Sequence, residues 1–272
     1  MTIPDSGKLG AAVVSAVRDV AETYILPRYQ KLAKGDVRSM THPGDLVTVA
    51  DVESEQALSK ILSALLPGSE VIGEEAAAAD AVVLDHLNGE SPVWIIDPVD
   101  GTGNAAAGLP LAAFTGALSL DGVLTEALTY WLDGGSWWHA RRGGPAAMRT
   151  TGRRTLDGAL VSMIRPKADS RGFLAVAARA DRTRVLGSSA LEAAWVAAGV
   201  LDASLDAGSD THRYVDVAAA VVLVEAAGGV VVDLHGRSLE FTTEITRRWS
   251  AVVAASGPLA EDVVRTVLEA QR

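Results

Sequence analysis

The chain has 272 residues, 49% of them apolar and 21% charged, with a formal charge of -10 and no cysteine. Its length suits one large domain or two smaller ones, and the acidic balance argues against a nucleic-acid backbone or an anionic membrane as the main partner. Without cysteine there is no disulfide framework, thiolate nucleophile or Cys-ligated zinc. No basic-then-apolar leader opens the chain, and no uninterrupted apolar run approaches the roughly 20 residues of a membrane span, so a cytoplasmic protein is expected.

In chain order, Val13, Ala16, Val17, Val20, Ala21 and Tyr24 recur at helical spacing and predict a helix over 8–34, kinked or interrupted at Pro27. Residues 35–44 read as a polar loop. Asp51 is expected to cap and open a second helix with Ala57, Ile61, Leu62 and Leu65 on its apolar face, closed by Pro67-Gly68. Val71-Ile72-Gly73 predicts a short strand running into Glu74 and Glu75, the second of which reads as part of a solvated acidic loop. An alanine-rich helix over 77–87 follows. Val93 to Ile96 then favour a buried strand that stops at the acidic turn Asp97-Pro98-Val99-Asp100-Gly101-Thr102.

Residues 111–120 and 123–131 predict a hairpin turned by Asp121-Gly122, with Trp137-Trp138 and Met148 in further short strands of the same meander. The Trp pair reads as half-buried strand residues. Residues 156–163 begin a second half. Gly187-Ser188-Ser189 precedes a helix over 190–198, a small-residue start suited either to an anion or hydroxyl or to plain capping. A strand over 201–205 follows. Asp216 is expected to cap a strongly apolar helix reaching about 227, closed by Gly228-Gly229. Strands over 230–232 and 251–255 and a helix over 259–269 complete the chain.

The chemistry concentrates in the acids. Asp97 and Asp100 flank Pro98 in one turn, and close carboxylates repel unless protons or a cation intervene. Mg2+ prefers such oxygen ligands and brings phosphate oxygens with it, while the N–H groups of Gly101 and Thr102 are placed to meet an anion. The alternative is an ordinary Asp-Pro-Gly turn. Glu74, Asp97, Asp100 and Asp216 all lie where a strand or loop ends or a helix begins, the usual place of function in layered α/β folds. Thr102 and Asp51 add a hydroxyl and an acceptor for its proton. His42, His86, His139, His212 and His235 are scattered and read as non-ligands.

D-L-V-T-V-A-D (45–51), G-E-E (73–75), W-I-I-D-P-V-D-G-T-G-N (94–104) and V-D-V-A-A-A…E-A-A-G-G (215–229) resemble, in order and spacing, the signature segments of the inositol monophosphatase family. The resemblance covers nearly the whole chain. It implies the layered αβαβα sandwich shared with fructose-1,6-bisphosphatase, an α+β part over 1–150 with an antiparallel sheet and an α/β part over 151–272. It also implies Mg2+-dependent hydrolysis of a small phosphorylated metabolite, with two or three ions, by a homodimeric enzyme. Carried over by motif position, Glu74, Asp97 and the Val99 carbonyl hold one ion and Asp97, Asp100 and Asp216 a second; Glu74 helps hold a third through water. The N–H groups of Gly101 and Thr102 bind phosphate, and Thr102, bonded to Asp51, orients the attacking water. The alcohol of the substrate points toward Gly187, Ser188 and the 206–213 segment, where Asp206 accepts a substrate hydroxyl.

Three features depart from the family pattern. The loop lysine expected before D-x-V-T is absent near Met40, where Arg38 is the nearest preceding cation. Val215 stands where the family has Trp before the last metal Asp. Asp206-Ala207-Gly208 replaces Glu-x-Gly and is followed by a short extension carrying His212 and Arg213. Arg213 either faces the cleft, where its planar guanidinium suits a second anion or a stacked ring, or points to solvent or pairs with Asp210. The leading expectation is a phosphatase for a polyol phosphate such as inositol monophosphate. Histidinol phosphate, adenosine 3',5'-bisphosphate, fructose 1,6-bisphosphate and nucleoside monophosphates are alternatives within the same chemistry. A non-catalytic binding homologue is the alternative of another class.

Overall fold

A computed structural model describes residues 6–28, 37–39, 46–145, 147–167, 169–239 and 247–272. The first helix, α1 (Ser6–Val20), passes into a π turn (Ala21–Ile25) and a 3₁₀ turn (Leu26–Arg28) that contains Pro27. Regular helix therefore stops well before the proline, and residues 29–34 of the predicted helix lie outside the described residues, as does Met40. Two short strands, β1 (Val37–Ser39) and β2 (Leu46–Thr48), pair antiparallel. The first falls in the stretch read as loop; three paired residues are too few to show a period.

Helix α2 (Val49–Leu65) starts before Asp51, which corrects the expected cap. Thr48 is the N-cap; its hydroxyl accepts from the Ala50 N–H at 3.2 Å, and Asp51 reaches back to the Thr48 N–H at 2.9 Å. Asp51 is thus the acidic partner of a capping box, one turn into the helix. Next come β3 (Glu70–Gly73), α3 (Glu74–Ala79), a 3₁₀ stretch (Ala81–Asn88), β4 (Val93–Asp100), α4 (Thr102–Ala107), β5 (Ala113–Leu120), β6 (Val123–Trp131) and β7 (Trp137–Arg141). The predicted helix over 77–87 is therefore two pieces, the first beginning at Glu74. Asp121 and Gly122 both have positive φ, the requirement of the predicted tight hairpin. Met148 lies in irregular chain packed on the core, not in a strand.

The second half supplies β8 (Leu160–Met163), α5 (Arg171–Arg179), β9 (Arg182–Arg184), α6 (Ser189–Ala197), β10 (Ala203–Leu205), α7 (Tyr214–Ala226), β11 (Val230–Asp233), β12 (Ala251–Ala254) and α8 (Gly257–Gln271). Helix α5 and strand β9 have no counterpart in the sequence reading. Arginines at alternate positions of β9 hid it, because this edge strand shows no apolar face.

One sheet has the order β3-β4-β5-β6-β7 and is antiparallel except for β3 beside β4; the other has the order β11-β12-β10-β8-β9. Side chains alternate along β4 with the period of a strand. Trp94 and Ile96 join Leu58 and Leu62 of α2 and Val13 and Val17 of α1, while Val93 and Ile95 join Val196 of α6 and Leu223 of α7. The α6–α7 pair also packs on Val231 and Val253 of the second sheet. The far face of that sheet, with Val161 and Met163, packs on Val176 of α5 and Val263 of α8. The layers run helix, sheet, helix, sheet, helix. As part of the central layer α7 is enclosed almost all round, which is why its sequence is apolar on every face. Among the described residues no helix is long and apolar enough to cross a membrane.

Candidate active site

The site lies at the end of β4. Residues three apart on a regular strand point to opposite faces. Pairing with β5 slips between Asp97, opposite Thr115, and Asp100, opposite Ala113. That irregularity at Pro98 and Val99 re-aims the strand and lets both carboxylates act on one small volume. Gly101 then turns the chain with φ of 96°, and a Cβ there would stand 2.7 Å from the Leu111 carbonyl oxygen. Only glycine fits that turn. It opens α4, whose first N–H groups have no partner within the helix.

Glu74 is placed from α2. Glu55 accepts the N–H groups of Glu75 and Ala76, each at 2.8 Å, and so caps α3 from outside. The Glu55 carboxylate lies so close to Gly73 that a Cβ there would stand 2.1 Å from its Cδ. The glycine of the G-E-E motif is a matter of room. Asp216 sits in the first turn of α7, whose N-cap is Arg213, and its Oδ2 accepts the Arg213 N–H at 2.7 Å. Like Asp51, it is a capping-box acid and not the cap itself.

Glu74, Asp97 and Asp216 converge: one carboxylate oxygen from each lies within 4.8 Å of the others, and all three residues are buried. Burial, then Glu74 and Asp100, push the Asp97 carboxyl well above its ordinary range. Burial also raises Glu74, with Arg213 working against it. Asp100 is pushed up to about 7 by burial and by Asp216, against hydrogen bonds from Ser188, Ala190 and Ser189. Acids crowded this way hold charge only beside cations. Asp216 Oδ1 is buried without a hydrogen-bond partner. A set of oxygen donors with one orphaned lone pair fits a hard divalent cation such as Mg2+.

The Thr102 hydroxyl lies 3.0 Å from Asp51 Oδ1 and 3.0 Å from the Val99 carbonyl. Its single proton serves one of them at a time. Asp51 is buried, which raises its carboxyl, and its other oxygen takes the Thr48 N–H and hydroxyl. Asp51, Thr102 and Val99 thus form one hydrogen-bonded corner next to the acids.

Several expectations on the substrate side need correction. Asp206 is fully enclosed and accepts the N–H groups of Gly208, Ser209 and Thr211 and the Thr211 hydroxyl. It ties its own loop and has no oxygen facing a substrate. Ser188 donates its hydroxyl to Asp100 at 2.5 Å, and the Gly187 N–H goes to Glu192 Oε1 at 3.1 Å. Both hold Asp100 and the start of α6 in place. Arg213 does not stand free in solvent, and Asp210 takes the Ser250 hydroxyl. Its guanidinium meets Glu74 Oε1 at 2.6 Å and Asp216 Oδ2 at 3.5 Å. Glu75 is not a solvated loop residue; burial, Glu74, Asp51 and Glu55 push it up to about 8.

The sequence reading missed Glu55 and Glu192, and named Ser189 only as part of a helix start. Ser189 donates to Asp100 Oδ1 at 2.9 Å, and Glu192 accepts from the Ser204 hydroxyl at 2.6 Å. Glu55 was within reach, because it lies one helical turn from Asp51 and shares its face. Glu192 gave no signal, since an acid in a predicted helix usually faces water.

The profile of the inositol monophosphatase family matches residues 8–272. An inositol-1-monophosphatase of Mesorhizobium japonicum is 33% identical over 210 residues, 73% of this chain and 76% of that protein. Human inositol monophosphatase 2 is 35% identical over 219 residues, 75% and 74% of the two chains. A fructose-1,6-bisphosphatase/inositol-1-monophosphatase of Thermococcus kodakarensis is 30% identical over 265 residues, 92% and 93% of the two chains. Among solved structures, an IMPase of Thermotoga maritima superposes with a TM-score of 0.81 at 23% identity, over 95% of this chain and 96% of that one. Signature segments, layered fold and converging acids agree with these matches, and the chain belongs to the inositol monophosphatase family.

Proposed function

We propose that this protein hydrolyses the phosphate monoester of a small polyol, such as an inositol monophosphate, with Mg2+ as its metal. That it is a phosphatase follows from the family; the metal and the substrate are our reading. The observation that supports it most is the convergence of Glu74, Asp97 and Asp216 around an orphaned carboxylate oxygen. Glu74 and Asp97 would hold one ion, with the Val99 carbonyl beside it, and Asp100 and Asp216 would join Asp97 at a second. When bound, such ions neutralise phosphate charge and lower the pKa of water.

The remaining work belongs to the chain. The N–H groups of Gly101 and Thr102 would grip the phosphate, held in place by the left-handed turn at Gly101. Thr102 would position the attacking water and pass a proton toward Asp51, its partner at 3.0 Å. Ser188, Ser189 and the Ala190 N–H fix the Asp100 carboxylate, so it need not reorganise during the reaction. Fructose 1,6-bisphosphate is a second candidate, because the Thermococcus relative named for both substrates aligns over most of this chain.

The test is phosphate release from inositol monophosphate, fructose 1,6-bisphosphate, histidinol phosphate and nucleoside monophosphates, each with Mg2+ and with EDTA. We expect fastest release from inositol monophosphate and loss in EDTA. Release indifferent to EDTA would remove the metal from the reading, and preference for a nucleotide would replace the substrate.

A further inference from the structure

Arg213 places a positive charge where the metal would bind. Its Nη2 lies 2.6 Å from Glu74 Oε1 and its Nε 3.5 Å from Asp216 Oδ2. The side chain is 23% exposed, and those of Glu74 and Asp216 are each 9% exposed, so water screens the contact only in part. A Mg2+–oxygen bond is about 2.1 Å long. An ion on the same Glu74 oxygen would therefore sit against the guanidinium, with like charges crowded together and little solvent between them.

The backbone that presents Arg213 is firmly held. Its own N–H donates to Asp216 Oδ2 at 2.7 Å, Asp206 gathers the amides of the preceding loop, and His212 and Trp249 exchange backbone hydrogen bonds at 3.1 and 3.0 Å. What can move is the long, flexible side chain, which loses rotamer freedom in its present position. The loop is fixed and the charge at its end is retractable.

We propose that Arg213 is a tethered counter-ion that competes with the divalent metal for Glu74 and Asp216 and thereby sets the metal affinity of the site. This rests on the reading that those carboxylates hold the metal. With the metal absent, the guanidinium neutralises acids that would otherwise repel each other. With the metal bound, it is displaced toward the cleft. The site thus exchanges one cation for another and is never left with its carboxylates uncompensated.

The experiment is calorimetric titration of Mg2+ into EDTA-stripped and dialysed protein, in the natural form and as Arg213→Gln and Arg213→Lys, with the melting temperature of each followed with and without Mg2+. Glutamine keeps much of the side-chain volume without the charge, and lysine keeps the charge. We expect Arg213→Gln to bind Mg2+ about tenfold more tightly, to melt lower without metal and to gain more from Mg2+. Arg213→Lys should stay close to the natural protein. If Arg213→Gln folds only with Mg2+ present, its metal-free melting temperature has fallen as expected, and competition with a chelator gives the affinity. Equal or weaker binding by Arg213→Gln would overturn the inference and leave the metal reading standing. Absence of both heat and thermal shift in all three forms would overturn the two together.

Discussion

Asp97 is enclosed at the end of its strand, 3% exposed, and its Oδ1 accepts the Val99 N–H at 2.8 Å. Burial, with Glu74 and Asp100 close by, pushes its carboxyl well above the ordinary range, so without a cation the protonated form is favoured. In the metal-free protein asparagine imitates the protonated acid. Asp97→Asn is therefore expected to keep or raise metal-free thermal stability while abolishing phosphate release. Near-normal turnover in that variant would mean the reacting centre lies elsewhere. Thr102→Ala separates two roles. If the hydroxyl positions water through Asp51, steady-state kinetics will show kcat lowered by about 10²–10⁴-fold with KM little changed. A change in KM alone would make Thr102 a ground-state phosphate ligand.

At the scale of elements, the acids are aimed by the ends of helices and strands that brace one another. Glu55 of α2 caps α3, which presents Glu74, and this brace passes over Gly73. Gly73→Ala should push Glu55 off the α3 amides, lowering unfolding free energy by about 1–3 kcal/mol in denaturant titration and weakening Mg2+ binding as Glu74 shifts. Gly103→Ala is the control, since a Cβ there meets nothing within 4 Å. If both variants melt alike, the brace is not what positions Glu74. The G-E-E segment was legible in the sequence as a strand ending in acids. That its glycine makes room for an acid from another helix was not, because Glu55 and Gly73 meet only after α2 packs beside β3. The same holds for Asp206, whose place in a family-like motif suggested a substrate contact although its loop folds around it.

Across the whole molecule, the buried acids make stability depend on pH. Burial raises Glu74, Asp97 and Glu192, lifts Asp100 to about 7 and, with neighbouring acids, lifts Glu75 to about 8. Their folded values lie above the unfolded carboxylate range of about 4. The folded state therefore binds more protons than the unfolded one between that range and about 8, and stability falls as pH rises through this window. Melting in EDTA should thus be higher near about pH 5.5 than near about pH 8, and Mg2+ should recover most of the difference at the higher pH, the ion replacing protons. A melting temperature that rises with pH in EDTA would contradict the raised folded values of these carboxyls.

The sequence by itself determined the chemistry and the layers. Acids at strand ends and helix starts, a glycine turn after Asp100 and an all-apolar helix over α7 are local patterns, set by the turn, cap and period each residue prefers. The five-layer order is what the resemblance to the inositol monophosphatase family implied, and the all-apolar helix agrees with it, since a helix with no polar face must be buried. The tertiary structure alone decided which groups meet. It brought Ser188 to Asp100, Glu55 to the amides of Glu75 and Ala76, and Arg213 to Glu74, pairs far apart along the chain. Such contacts leave no period or spacing to read, because they depend on the direction in which a loop turns after its own acids have claimed its amides.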